Sequence, residues 1–202
     1  MAHGLWLLFT MLMTADILRR EFESGLPFAE FVETAETPEH RARWHERYAR
    51  LGLTDEQESL VGSFTREMNL LCLTGPWCGD CALQGSAMAR IAEANPKHIH
   101  LRFIPRTEEH ADLIVKNPIN AGHRVPVTWF MAEDFEPVSR FGDRTLSRYR
   151  SMARHTLGEA AVVTAPPPSD PVREVLQEVL CEFERVHLLL RLSARLRQKH
   201  GD

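Results

Sequence analysis

Cysteine is scarce in this sequence: 4 among 202 residues, at positions 72, 78, 81 and 181. So few, so unevenly spaced, do not make a secreted disulfide scaffold. Positive charge is not in excess either. Lys and Arg number 24 against 28 Asp and Glu, a formal net charge of −4, so composition points to no nucleic-acid partner. No apolar run reaches the ~20 residues a membrane-spanning helix needs. What remains is ordinary for a globular chain, 44% hydrophobic and 26% charged. The length suits one domain with extensions or two small domains. A cytoplasmic monomer is the expected state.

The amino terminus fits that expectation least well. "LWLLFTMLMTA", Leu5 to Ala15, has the apolar look of a signal-peptide core. No Lys or Arg precedes it, and Met13 stands where a small residue would precede cleavage after Ala15. Three readings stay open: an export signal, a helix packed on the domain, or residues upstream of a true start at Met13.

The first third, 1–67, reads as a helical extension. Ile17, Leu18 and Phe22, then Phe28, Phe31 and Val32, recur at helical spacing. Thr37 caps a helix that has Pro38 at its first position and stops at Gly52. Thr54 with Gln57 makes a capping box that opens a helix to about Arg66. "MNLLCLTG", Met68 to Gly75, is a short apolar run of strand length, ended by Gly75-Pro76. A helix over Cys78–Ala94 follows, stopped by Asn95-Pro96, and then an alternating strand over His98–Ile104. Thr107 caps a helix to about Val115. "VPVTWFM" and "EPVSRFG" form two strands turned at Glu133-Asp134, and Arg144–Leu157 is a helix. The crossover helix between the first two strands makes them parallel neighbours. Residues 68–157 thus read as an α/β domain, 158–171 as a proline-rich linker, and 172–202 as a helical tail packing on the domain. The tail's apolar face runs through Val172, Val175, Leu176, Val179, Phe183, Val186 and Leu190. Its basic end, "RLSARLRQKH", reads as a solvated helix terminus whose cations suit the dipole.

The chemistry lies in "TGPWCGDC", Thr74 to Cys81. A structural zinc site needs four ligands. Cys78 and Cys81 supply two, and His98, His100, His110 and His123 are scattered. A two-thiol half-site and a pair of inert buried thiols remain open. The redox reading explains more. A Cys-x-x-Cys between strand and helix puts the first sulfur at a helix N-terminus, where unpaired N–H groups favour the thiolate. The second sulfur, one turn on, can attack a mixed disulfide formed at the first. Gly79 keeps the approach open and Trp77 offers a flat apolar wall. In "RVPVTWF", Pro126 suits the first residue of a strand. Its bond to Val125 is either cis, turning the Val125 backbone toward the thiols, or an ordinary trans bond entering the strand.

The segment from about Met68 to Leu157 resembles a thioredoxin-family domain. "WCGDC" is similar to that family's Trp-Cys-Gly-Pro-Cys site and "RVPV" to its cis-proline loop, and Gly142 fits the pattern after the last strand. The resemblance covers roughly 90 residues. It implies Cys78 as attacking thiol, Cys81 as resolving thiol and a cis Val125–Pro126 bond, with Val125 offering backbone hydrogen bonds to an extended substrate segment. Trp77 and Gly79 would line the groove. No cofactor is implied beyond the cysteine pair, and the partners would be a protein disulfide and a thiol reductant. Two departures bear on the chemistry. The family's buried aspartate, six residues before the first active-site cysteine, is Cys72 here. Asp80 replaces the proline inside the pair, and its charge would oppose a Cys78 thiolate. The expected activity is thiol–disulfide exchange. A thioredoxin-fold adaptor, or a peroxidase-type or disulfide-forming enzyme on the same thiols, is the alternative.

Overall fold

The structure, a computed structural model, describes residues 13–161 and 164–202, so most of the N-terminal apolar stretch lies outside the described residues. Thr14 caps helix α1 (Ala15–Ser24) through its side chain. Short helix α2 (Phe28–Glu33) follows. Thr37 caps α3 (Pro38–Arg50), with proline at the helix start as expected. The Thr54–Gln57 capping box is formed and opens α4 (Asp55–Gly62). This helix stops four residues short of the expected Arg66. Asn95 makes two side-chain hydrogen bonds, to the Val61 and Phe64 carbonyls, that hold its end in place of further helix.

Strand β1 (Met68–Thr74) is buried at every position. Helix α5 (Gly79–Ala94) crosses to β2 (Ile99–Pro105), which pairs parallel to β1 with Met68 opposite Ile99. Strand β3 (Val127–Met131) runs antiparallel to β1, and β4 (Pro137–Gly142) antiparallel to β3, giving the order β2-β1-β3-β4. A single helix from Thr107 is not formed. A 3-10 turn, Glu108–His110, leads into α6 (Ala111–Lys116), and Thr107 makes no side-chain cap. Helix α7 spans Leu146–Leu157, two residues later at its start than its pattern suggested.

The sheet separates two apolar layers. On one face Cys72, Leu70 and Met68 meet Cys81 and Met88 of α5 together with Phe31, Trp44 and Phe183. On the other, Leu71, Leu73, Val127 and Trp129 meet Leu18 and Leu113. The helical segments before and after the sheet therefore share its core. Leu26 exchanges two 2.8 Å backbone hydrogen bonds with Phe103, covering part of the β2 edge.

The tail departs from one continuous helix. Helix α8 (Pro171–Leu192) ends at Ser193, whose extended backbone and side chain cap a separate α9 (Ala194–His200). The basic end is not merely solvated. Arg195 pairs with Asp134, and Lys199 and His200 pair with Glu133, so α9 docks on the turn between β3 and β4. Among the described residues no helix is long and apolar enough to cross a membrane.

Candidate active site

Interior strand β1 delivers the chain to the sheet's end at Thr74, and Gly75-Pro76 turns it into α5. A side chain at Gly75 would collide with the Trp77 indole, its Cβ falling 2.7 Å from the ring, so glycine lets Trp77 fold back over the turn. The indole is 47% exposed beside the thiols. Helix α3 grips the turn from behind. Trp44 Nε1 donates to the Pro76 carbonyl at 2.9 Å, and Arg43 Nη1 to the Trp77 carbonyl at 2.9 Å. Trp44 is held by aromatic neighbours, with Phe31 at 5.4 Å and Phe28 at 5.9 Å between ring centres.

Cys78 is the N-cap of α5. The Cys81 backbone N–H donates to its Sγ at 3.3 Å. Hydrogen bonding from the Cys81 thiol, helped by the N–H groups of Cys81 and Asp80, outweighs burial and lowers the Cys78 thiol to about 7. Cys81 is fully buried, and burial first, then its hydrogen bond to Cys78, pushes its thiol well above the ordinary range. The two sulfurs are thus sharply unequal: one accessible and acidic, one buried and protonated. Gly79 is open, with nothing within 4 Å of where a Cβ would stand. Cys181 is exposed on α8, on a helix remote in sequence from this turn.

Beneath the pair, Cys72 lies buried opposite Thr128 on β3, and burial pushes its thiol up to about 12. It supplies no charge at neutral pH. Thr74 shares that face of β1 by strand alternation, and its hydroxyl is buried without a hydrogen-bond partner. Facing the Cys81 and Cys72 sulfurs, that hydroxyl would ease negative charge forming on either, a smaller effect than their burial. Sequence reasoning did not single out Thr74; an uncharged polar residue closing an apolar strand beside the pair was the available signal.

Asp80 does not stand free beside Cys78. Arg144 Nε and Arg148 Nε each donate to its carboxylate at 2.7 Å, one to each oxygen. Of the influences on Cys78, the Asp80 charge is the smallest, though it acts in the expected direction. Arg144 also reaches Asp143 at 3.0 Å, as does Arg124 at 3.4 Å, and the Tyr149 hydroxyl donates to the same carboxylate. None of these partners was expected. Arg144, just before α7, and Arg148 in its first turn were visible in the sequence four residues apart, but their target lies 64 and 68 residues away.

The Val125–Pro126 bond is cis, and Pro126 is buried just before β3. Val125 packs against both apolar layers, one of which also receives Cys78. Gly142 lies against this loop at φ +135°, and a Cβ there would fall 2.3 Å from the Pro126 carbonyl oxygen. Only glycine fits that approach. Among the described residues no group of three or more His, Cys, Asp or Glu could hold a metal ion.

A family model described as thioredoxin matches residues 25–153 of the chain. That span begins well before β1 and takes in α2, α3 and α4. Among solved structures, a Pseudomonas aeruginosa protein of unknown function superposes with a TM-score of 0.63 at 19% identity, over 86% of this chain and 99% of that one. An HIV epitope-scaffold superposes with a TM-score of 0.60 at 19% identity, over 82% of this chain and 97% of that one. At these identities the two structures establish the shared fold alone. No curated protein matches the chain significantly.

Proposed function

This chain belongs to the thioredoxin family, and from that premise we propose that it is a thiol–disulfide oxidoreductase acting on protein disulfides. The observation that carries the reading is the inequality of the pair: Cys78 at a helix N-terminus with its thiol lowered to about 7, over a buried Cys81 held protonated. The Cys78 thiolate attacks one sulfur of a substrate disulfide. A Cys78–substrate bond forms, the substrate S–S bond breaks, and the departing thiolate takes a proton from solvent. Cys81 then gives up its proton and attacks the Cys78 sulfur. The intramolecular disulfide forms and the second substrate thiol leaves. Two electrons pass from the pair to the substrate, and an external thiol reductant restores the dithiol. No further cofactor is required. Val125, before the cis-proline, is the proposed backbone contact for an extended substrate segment. Such a cycle belongs in a reducing compartment, which fits a cytoplasmic monomer.

With Cys72 where the family's aspartate would stand, this chain must shed the Cys81 proton another way. Here the Thr74 hydroxyl is the group placed to stabilise the emerging thiolate, while the outgoing substrate thiolate is the final proton acceptor. The test is trapping. Cys81→Ser should accumulate a mixed disulfide with a disulfide-containing protein, and Cys78→Ser should not. Equal trapping by both variants would sink the assignment.

A further inference from the structure

The chain as a whole is acidic, with a formal net charge of −4, yet the surface around its thiols is not. Four arginines from separate parts of the fold border the pair. Arg43 of α3 is bonded to the Trp77 carbonyl, next to Cys78. Arg144 and Arg148 are bonded to Asp80, inside the pair. Arg124, beside Val125 in the cis-proline loop, joins them through Asp143. The acids that answer them are sunk beneath the surface. The Asp80 side chain is 10% exposed and that of Asp143 1%, whereas Arg148 and Arg124 keep 37% and 39%. An approaching molecule therefore meets guanidinium groups, not carboxylates. Helix α7 extends the same character, with Arg148, Arg150, Arg154 and His155 and no acidic residue in Leu146–Leu157. Its nearest acidic neighbour on α8, Glu178, is turned inward to the Ser147 N–H and hydroxyl. On α3, Glu39 and Glu46 flank Arg43 one turn to either side, and Glu46 pairs with Arg47. Between the cations lie exposed apolar surfaces: Trp77, Tyr149 and Met152.

We infer that the substrate of this site is a protein disulfide whose cysteine is flanked by acidic side chains, the carboxylates engaging the arginine border while an apolar neighbour rests on Trp77. Planar guanidinium groups match carboxylates bidentately, and fixed charges near the reacting sulfur steer encounter. The inference deepens the oxidoreductase reading for its activity arm, but its binding arm stands apart from any chemistry.

Two disulfide-looped peptides of equal length would serve as probes, one with Glu on both sides of a cysteine and one with Lys. Each rate of reduction by the protein is divided by the rate with dithiothreitol, which removes intrinsic reactivity. At low salt the acidic peptide should be favoured about tenfold, and the preference should shrink toward unity at about 1 M salt, where the screening length is about 3 Å. Arg124→Gln and Arg43→Gln should each cut the preference about threefold. Serine-for-cysteine versions of both peptides, labelled and followed by anisotropy, should show the same order of affinity. Equal rates and equal affinities for the two peptides would overturn the inference while leaving the oxidoreductase reading intact. Absence of reduction with preferential binding of the acidic serine peptide would overturn the oxidoreductase reading and uphold this one. Binding to anionic lipid vesicles or to an oligonucleotide at the same salt, without discrimination between the peptides, would also overturn it.

Discussion

At Cys78 a helix terminus, a neighbouring thiol and a nearby carboxylate compete, and the carboxylate loses because it is spoken for. Arg144 and Arg148 each engage one oxygen of Asp80. With its thiol lowered to about 7, Cys78 carries far more thiolate at neutral pH than an ordinary cysteine. Asp80→Asn removes the opposing charge and also releases two guanidinium groups from it. Both changes favour the thiolate, so the Cys78 pKa should fall by about 0.5–1 unit, and less at high salt. A thiol that ionises more readily stabilises the dithiol form. The reduction potential should therefore become less negative by roughly 10–20 mV at pH 7. Iodoacetamide alkylation against pH, with a wild-type midpoint near 7, measures the first, and equilibration with glutathione measures the second. A midpoint unmoved or raised in the variant would contradict the account. The expected sign could be read from the sequence; the reason could not, because no local pattern announces a salt bridge made across 64 residues.

Among the elements, α3 does more than cover the core. It carries Trp44, whose indole fills the space over Gly85 of α5, where a Cβ would fall 2.5 Å from the ring. The same indole holds the buried Pro76 carbonyl two residues before Cys78. Trp44→Phe keeps an aromatic ring but orphans that carbonyl. Leaving a buried acceptor unpaired costs about 1–3 kcal/mol. The variant should unfold at lower urea concentration with an unchanged m-value, and Cys78 alkylation should lose part of its distinctive pH midpoint as the turn loosens. Element identity was largely legible because caps and apolar periodicity are local: Thr37, Thr54 and the "MNLLCLT" run each act within a few residues. Boundaries failed where distant groups intervened. Asn95, 33 residues beyond Gly62, holds the end of α4, and Ser193 breaks the tail helix with no proline or glycine beside it. The cis bond before Pro126 followed from resemblance alone, since a proline at a strand start serves either isomer.

For the molecule as a whole, the sheet's α5 face is completed only by the C-terminal helix. Phe183 stacks edge-on to Phe130 of β3 at 5.1 Å, and Val175, Leu176, Val179 and Val186 are buried in the same layer. The proline-rich segment before it is a connector, not a boundary between independent cores. A chain ending before Pro171 should expose that layer, bind a hydrophobic dye and lose its near-ultraviolet circular dichroism. A truncated protein that kept a cooperative thermal transition and native near-ultraviolet signal would show that α8 is dispensable. The fixing of Asp80 by Arg144 and Arg148 has a consequence in time as well as in space. The partners of Asp80 follow it by 64 and 68 residues, so a ribosome making about 5–20 residues per second completes the motif roughly 3–14 s before it supplies them. Throughout that interval the nascent chain carries the Asp80 carboxylate without either guanidinium that will hold it, so the pair reaches its final setting only after Arg148 has been translated.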